Sequence, residues 1–87
     1  MSYQVLLSKT ARKTYDKLPQ KLQKGVDRAI EYLKVNPLHN PNARVLKGET
    51  GSYRYQIGGW RILYEVYEEA REVRIYDIGP RGDVYKH

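Results

Sequence analysis

The chain of 87 residues contains no cysteine. A disulfide and a thiolate-bound metal are therefore excluded, and nothing indicates an oxidising compartment. The sequence also has no apolar run near the roughly 20 residues that a helix needs to cross a bilayer. Residues 1–8 lack the charged segment and the long apolar run of a signal peptide. We expect a single cytoplasmic domain over residues 1–87, because a chain of this length supports one core.

Conventional catalytic sets are also scarce. The sequence has no cysteine nucleophile, no histidine pair at zinc-binding spacing and no glycine-rich loop between a strand and a helix. Its two histidines are His39, in a predicted loop, and His87, the last residue, and such positions are usually solvated or mobile. We therefore expect no metal and no cofactor.

Acidic residues are in the minority, since 16 Lys and Arg face 10 Asp and Glu and give a net charge of +6. In so small a domain this excess favours an acidic partner such as a nucleic acid, an anionic membrane or an acidic protein. Positive charge also improves solubility, so charge alone does not choose among these partners.

The first half of the chain predicts a strand followed by two helices. Residues 3–8 are short and apolar enough for a strand, and Ser8 is a suitable N-cap for the helix that follows. Apolar residues recur on one face up to Leu18, and a stronger helical stripe occupies residues 21–35 until Asn36 and a proline end it. The short connection after Leu18 predicts a tight helical hairpin.

The second half predicts a loop followed by three strands. Residues 36–51 are rich in proline, asparagine and glycine, which is typical of a loop. In residues 52–85, Gly58-Gly59 predicts a hairpin turn, and residues 68–71 a second turn. The order β-α-α-β-β-β indicates an α+β fold, in which a helical hairpin packs on one face of a twisted antiparallel sheet and the other face is open.

The alternation of side chains along these strands assigns their faces. The predicted core face carries most of the large apolar residues: Tyr53, Tyr55, Ile57, Trp60, Ile62, Tyr64 and Val66. Arg54 and Arg61 alternate with them and are therefore predicted on the open face.

Arginines of the second half form the candidate site. Arg54, Arg61 and Arg81 suit a phosphodiester, because guanidinium forks match phosphate oxygens and stabilise the extra negative charge of a pentacoordinate transition state. Tyr85 is a candidate to stack on a base or to handle a proton. The alternative is an ordinary solvated surface, in which the arginines pair with carboxylates such as Asp77.

Four stretches of the second half also carry a family resemblance: Leu46-Lys47-Gly48, Tyr53-Arg54-Tyr55, Trp60-Arg61-Ile62-Leu63-Tyr64 and Gly79-Pro80-Arg81-Gly82-Asp83-Val84-Tyr85. With them the chain resembles the RelE/ParE superfamily of small toxins from type II toxin–antitoxin systems, in its RelE-like branch. The helical half is similar in pattern only.

The resemblance implies a microbial-ribonuclease-like RelE fold and an mRNA interferase. Such an endoribonuclease cuts mRNA in the A site of the ribosome by attack of the ribose 2′-hydroxyl, without a metal. By position in the family's motifs, Arg54 binds phosphate and Arg61 stabilises the scissile phosphate. Arg81 then lies beside the leaving group, and Tyr85 takes the proton of the 2′-hydroxyl.

Further residues are expected to bind RNA around this set: Lys47, Gln56, Arg74 and Lys86. Two positions depart from the family's pattern. Gln56 stands where RelE-type enzymes often carry a lysine, and a neutral amide supplies no positive charge. Pro80 stands where the superfamily often has a histidine, which removes a possible acid or base.

The resemblance also implies partners and leaves alternatives open. We expect a cognate RelB-like antitoxin that is acidic in part, together with mRNA and the ribosome, and no membrane association. One alternative is a ParE-like toxin that inhibits DNA gyrase without cutting RNA. The other is a non-catalytic RNA-binding module that uses tyrosines for stacking and arginines for phosphate contacts.

Overall fold

The computed structural model describes residues 2–38, 43–45 and 52–80, and for residues 43–45 the backbone alone. Seven elements follow one another: β1 (Gln4–Leu7), α1 (Lys9–Lys17), α2 (Gln20–Val35), β2 (Ala43–Val45), β3 (Ser52–Ile57), β4 (Trp60–Tyr67) and β5 (Glu72–Pro80). The predicted α+β fold, with a helical hairpin on a sheet, is confirmed. Neither helix among the described residues is long and apolar enough to span a membrane.

Ser8 is the N-cap of α1, as the sequence predicts. Its Oγ accepts a hydrogen bond from the Ala11 amide at 3.1 Å and so satisfies one of the unpaired donors of the first turn. The same hydroxyl donates to the carbonyl of Tyr76 at 3.1 Å. One side chain therefore caps the helix and attaches its start to β5.

The two helices form the predicted hairpin around Pro19, which immediately precedes α2. Tyr15 connects the two helices through both its side chain and its backbone. Its hydroxyl donates to Asp27 Oδ1 at 2.7 Å, and its carbonyl accepts from Gln23 Nε2 at 2.8 Å. The hydrogen bond to the Asp27 carboxylate also raises the pKa of Tyr15.

The five strands form one sheet in the order β1-β5-β4-β3-β2. The expected antiparallel sheet is corrected to a mixed one, because β1 runs parallel to β5, from Gln4 opposite Glu72 to Leu7 opposite Ile75. A parallel pair needs a long connection, and here the two helices and strands β2 to β4 all lie between β1 and β5 in the sequence. The residues of β1 do not show whether this strand runs parallel or antiparallel to its neighbour. That depends on the path of the chain between β1 and β5.

The predicted loop over residues 36–51 contains a fifth strand. Ala43–Val45 pairs antiparallel with β3, from Ala43 opposite Tyr55 to Val45 opposite Tyr53. Three residues among prolines and asparagines are too few to show an alternating pattern, so the prediction of a continuous loop was wrong here. The strand forms because the outer edge of β3 offers backbone partners.

The predicted face assignment is confirmed by the core. The helices and one face of the sheet enclose a buried cluster. Of the seven apolar residues assigned to that face, Tyr55, Ile62 and Tyr64 belong to the cluster, and the other four are partly buried and pack against it. Tyr64 is fully buried at its centre, stacks on Tyr53 with ring centroids 5.5 Å apart, and donates its hydroxyl to the Pro37 carbonyl at 2.7 Å. Trp60 packs against the cluster but is only half-buried. The opposite face is therefore the one available for a site.

Candidate nucleic-acid interface

The register of β3 and β4 brings two predicted site residues together. Arg54 lies opposite Leu63, and Gln56 lies opposite Arg61. Arg54 and Arg61 are therefore diagonal neighbours on the face away from the helices, at roughly 7–8 Å, a distance that long side chains bridge. This spacing allows both guanidinium groups to reach the oxygens of one phosphate.

Arg61 is buried, with only 7% of its surface exposed, whereas Arg54 is half-buried and Gln56 is exposed. The expectation that the second face is open throughout is wrong at Arg61 and at Leu63, which is 5% exposed. Both lie on β4, the central strand of the sheet. A guanidinium stays charged when buried, so Arg61 is a cation of restricted conformation.

On its other side, Arg61 is next to β5. Gly79 is its register partner and presents no side chain, and Leu63 is paired with Asp77. The register shifts between Leu63 and Tyr64, so that Tyr76 is an extra residue on β5. Such a bulge changes the direction of the strand, and bulges are common beside functional sites. The alternation rule did not reveal this bulge, because it assumes an unbroken register.

Arg74, a predicted RNA contact, is exposed on the same face but lies elsewhere on it. It is paired in register with Glu65, four residues from Arg61 along β4, which corresponds to about 13 Å. Its guanidinium donates to Glu72 Oε1 at 2.9 and 3.1 Å and lies 4.2 Å from the ring centre of Tyr67. The hydrogen bond to Glu72 raises the pKa of Arg74. Its charge is therefore compensated by Glu72.

The described residues contain a further position that the sequence did not single out. Arg44 of β2 is the register partner of Arg54, so a third arginine belongs to the same row of the sheet. No signal in the sequence identified it, because its segment reads as a loop. The other predicted site residues lie outside the described residues: Lys47, Arg81, Tyr85 and Lys86.

Residues 2–38 and 52–80 contain no group of three histidine or acidic side chains that is able to hold a metal ion. On the face away from the helices, Arg54 and the buried Arg61 lie beside the neutral amide of Gln56, an arrangement suited to an anion such as a phosphodiester.

Comparisons with known proteins agree with this fold. The family model for the ParE toxin of type II toxin–antitoxin systems matches residues 5–85. A protein of Methanocaldococcus jannaschii named as a RelE1 toxin is 33% identical over 100% of this chain and 99% of its own length.

Solved structures give the same result. The archaeal RelE–RelB complex from Pyrococcus horikoshii has a chain with a TM-score of 0.83 and 24% identity, covering 94% of this chain and 98% of that one. The RelBE2 toxin–antitoxin complex from Mycobacterium tuberculosis has one with a TM-score of 0.79 and 29% identity, covering 93% of this chain and 100% of that one.

The fold is thus that of the small RelE-type toxins. The chain belongs to the ParE toxin family of type II toxin–antitoxin systems, within the RelE/ParE superfamily.

Proposed function

We propose that this toxin is a metal-independent endoribonuclease that cuts mRNA in the ribosomal A site and thereby stops translation. The observation that carries the proposal is the diagonal placement of Arg54 and Arg61 beside Gln56, with Arg61 buried on the central strand. If these arginines formed an ordinary solvated surface, there would be no reason for one of them, Arg61, to be buried.

The chemistry requires the 2′-hydroxyl oxygen to attack the adjacent phosphorus while the bond to the 5′-oxygen breaks. Negative charge grows on the phosphoryl oxygens as this happens. Arg54 and Arg61 stabilise that charge, and a guanidinium that is already held in place needs no reorganisation during the reaction. Donors of this kind each contribute about 2.7–4 kcal/mol to the transition state.

The remaining steps are assigned to residues that follow β5 in the sequence. Tyr85, as its phenolate, takes the proton of the 2′-hydroxyl. Arg81 stabilises the departing 5′-oxygen, which takes a proton from water. The last described residue, Pro80, pairs with Trp60, next to Arg61. Arg81 is the next residue in the sequence.

The partners follow from the same proposal. The substrate is mRNA on the cytoplasmic ribosome, and a cognate antitoxin that is acidic in part binds the toxin. The complexes of the Pyrococcus horikoshii and Mycobacterium tuberculosis relatives support an antitoxin partner, and the net charge of +6 favours an acidic one.

The test separates RNA cleavage from gyrase inhibition. Purified protein is added to a cell-free translation reaction and, separately, to a DNA gyrase supercoiling reaction. We expect translation to stop with fragmentation of the template mRNA, and supercoiling to continue at its normal rate. Inhibited supercoiling with intact mRNA would instead establish a ParE-like gyrase inhibitor and overturn the proposal.

A further inference from the structure

The sheet face away from the helices exposes an aromatic ring and an aliphatic side chain at the end remote from Arg61. Tyr67 is 39% exposed and Leu6 is 37% exposed, and they are two of the four exposed large apolar residues in the described part of the chain. Arg74 lies between them, because it is the register partner of Leu6 and its guanidinium is 4.2 Å from the ring centre of Tyr67. Apolar side chains grouped at a surface mark an interaction site more often than single ones do.

Two neighbours restrict the guanidinium of Arg74. Glu72 Oε1 accepts hydrogen bonds from its Nε and its Nη2, and the ring of Tyr67 lies against it. The Arg74 side chain is nevertheless 52% exposed. Guanidinium planes stack on nucleobases as aromatic rings do, and one that is already held in place loses little entropy on binding. Because Glu72 compensates its charge, Arg74 is better suited to stacking on a base than to binding a phosphate.

Glu65 places a hydrogen-bond acceptor beside this stack. It is the register partner of Arg74, and its Oε1 accepts the hydroxyl of Tyr67 at 3.1 Å. A carboxylate only accepts, and its two oxygens together have room for about four hydrogen bonds. A base stacked here therefore meets an acceptor at its edge, which suits the exocyclic amino group of adenine, cytosine or guanine better than the carbonyls of uracil. We call Leu6, Glu65, Tyr67 and Arg74 the stacking platform.

We propose that the stacking platform binds one base of the single-stranded RNA substrate, about two nucleotides from the phosphate held at Arg54 and Arg61, and prefers a base with an amino group. This inference rests on the proposed function in taking RNA as the ligand. It adds a subsite that determines sequence preference and assigns Arg74 to a base.

The distance along the sheet matches this placement. Arg74 stands about 13 Å from Arg61 along β4, on the same face. An extended single strand reaches about twice the roughly 3.4 Å rise per nucleotide of a duplex strand, so about two nucleotides cover this distance. The carboxylates of Glu65 and Glu72 repel phosphates, and the strand therefore turns a base and not its backbone towards the platform.

Fluorescence anisotropy with labelled hexanucleotides of cytidine or of uridine tests the inference, with every 2′-hydroxyl methylated so that no cleavage occurs. The two probes have the same ring size and differ at the amino group. We expect the wild type to bind the cytidine probe about fivefold more tightly. Tyr67→Ala should raise both dissociation constants about tenfold, since it removes the ring under Arg74. The matched control Tyr32→Ala, at an exposed tyrosine of α2, should change them less than twofold.

Glu65→Gln separates base selection from a structural effect. A glutamine amide both donates and accepts, so it serves the uracil carbonyl as well as the cytosine amino group. We expect this variant to bind both probes equally while the cytidine constant changes less than threefold. It also supplies a second reading if circular dichroism shows that Tyr67→Ala does not fold. On programmed ribosomes, Tyr67→Ala should raise KM about tenfold and leave kcat within twofold.

Equal dissociation constants for the wild type and a folded Tyr67→Ala overturn the inference, as do equal constants of the wild type for the two probes or an absence of binding to both. The proposed function fails separately, because the methylated probes need no cleavage. Base-dependent binding by a toxin that does not cut mRNA keeps the stacking platform and rejects the endoribonuclease. Cleavage that Tyr67→Ala leaves unchanged, with no preference between the probes, keeps the endoribonuclease and rejects the platform.

Discussion

Arg61 lies directly opposite Gln56 across the β3–β4 pair, on the sheet face away from the helices. Arg61 is a buried cation, and Gln56 is an exposed neutral amide. The pair therefore offers two donors at adjacent positions but only one positive charge. A substitution at Gln56 therefore changes the charge of the proposed site without disturbing a buried residue.

Gln56→Lys places a second cation beside Arg61, and we expect it to raise the cleavage rate on ribosomes about tenfold. Gln56→Glu places a carboxylate there and should lower the rate at least about tenfold, because it repels the phosphate. The rates are measured in single-turnover reactions. The same two substitutions at Gln20, an exposed residue that begins α2, serve as controls and should have no effect. Equal rates for all four variants would remove Gln56 from the site.

Arg61→Lys keeps a positive charge but loses the planar fork that binds phosphate oxygens in pairs. We expect cleavage to fall by about 10²–10³-fold. Arg61→Ala should also lower the free energy of unfolding, since it truncates a buried side chain. On a fully open face, by contrast, the same truncation would leave the free energy of unfolding unchanged. Arg61→Lys with wild-type cleavage would contradict the role given to this guanidinium.

Tyr64→Phe removes the buried hydroxyl that donates to the Pro37 carbonyl. We expect a loss of about 1–3 kcal/mol in the free energy of unfolding at neutral pH, because the carbonyl is left without this donor. The control Tyr32→Phe removes an exposed hydroxyl and should leave the unfolding curve unchanged. Chemical denaturation of the three proteins measures both effects. An unchanged free energy in Tyr64→Phe would mean that this hydrogen bond contributes nothing.

The same hydroxyl predicts a pH dependence. Burial raises the pKa of Tyr64 above its ordinary value, so ionisation is harder in the folded than in the unfolded chain. Its contribution to stability is complete below the unfolded pKa of about 10 and falls as the pH rises above it. The wild type should therefore lose stability more steeply than Tyr64→Phe in this alkaline range. Parallel stability curves for the two proteins would contradict the assignment.

Trp60→Ala should lower the free energy of unfolding by less than the roughly 3–5 kcal/mol typical of a fully buried tryptophan. The reason is that Trp60 is only half-buried at the edge of the core. Ile62→Ala, at a fully buried position of the same strand, provides the comparison and should cost about 2–5 kcal/mol. Both are measured by denaturant unfolding. A loss from Trp60→Ala that is larger than about 3–5 kcal/mol would contradict the partial burial of Trp60.

Features determined by local sequence were predictable. Ser8 caps α1 because a short side-chain oxygen at that position reaches the Ala11 amide. Gly58 begins the β3–β4 turn with a φ of +53°, a backbone conformation that glycine adopts without strain. Alternation then places Tyr55 and Ile62 in the core and their neighbours Arg54 and Arg61 on the other face.

Features that depend on remote segments were not predictable. The parallel direction of β1 and the three-residue strand β2 both arise from pairing with strands distant in sequence. The burial of Arg61, on the central strand of the sheet, is likewise not visible in the alternation pattern of its own strand. The compensation of Arg74 by Glu72, two residues away on β5, is local, but the alternation rule gives only the shared face and not the hydrogen bonds. Charge counting therefore overstates the size of the basic surface.

Primer extension on a defined mRNA, with purified protein and with or without programmed ribosomes, tests the central claim most directly. We predict cuts within A-site codons that appear only with ribosomes and that vanish when Arg54 and Arg61 are both replaced by lysine. Arg74→Lys, on the same face but about 13 Å away, should still cut. Intact mRNA in both reactions, from folded protein that still stops growth, would contradict the account.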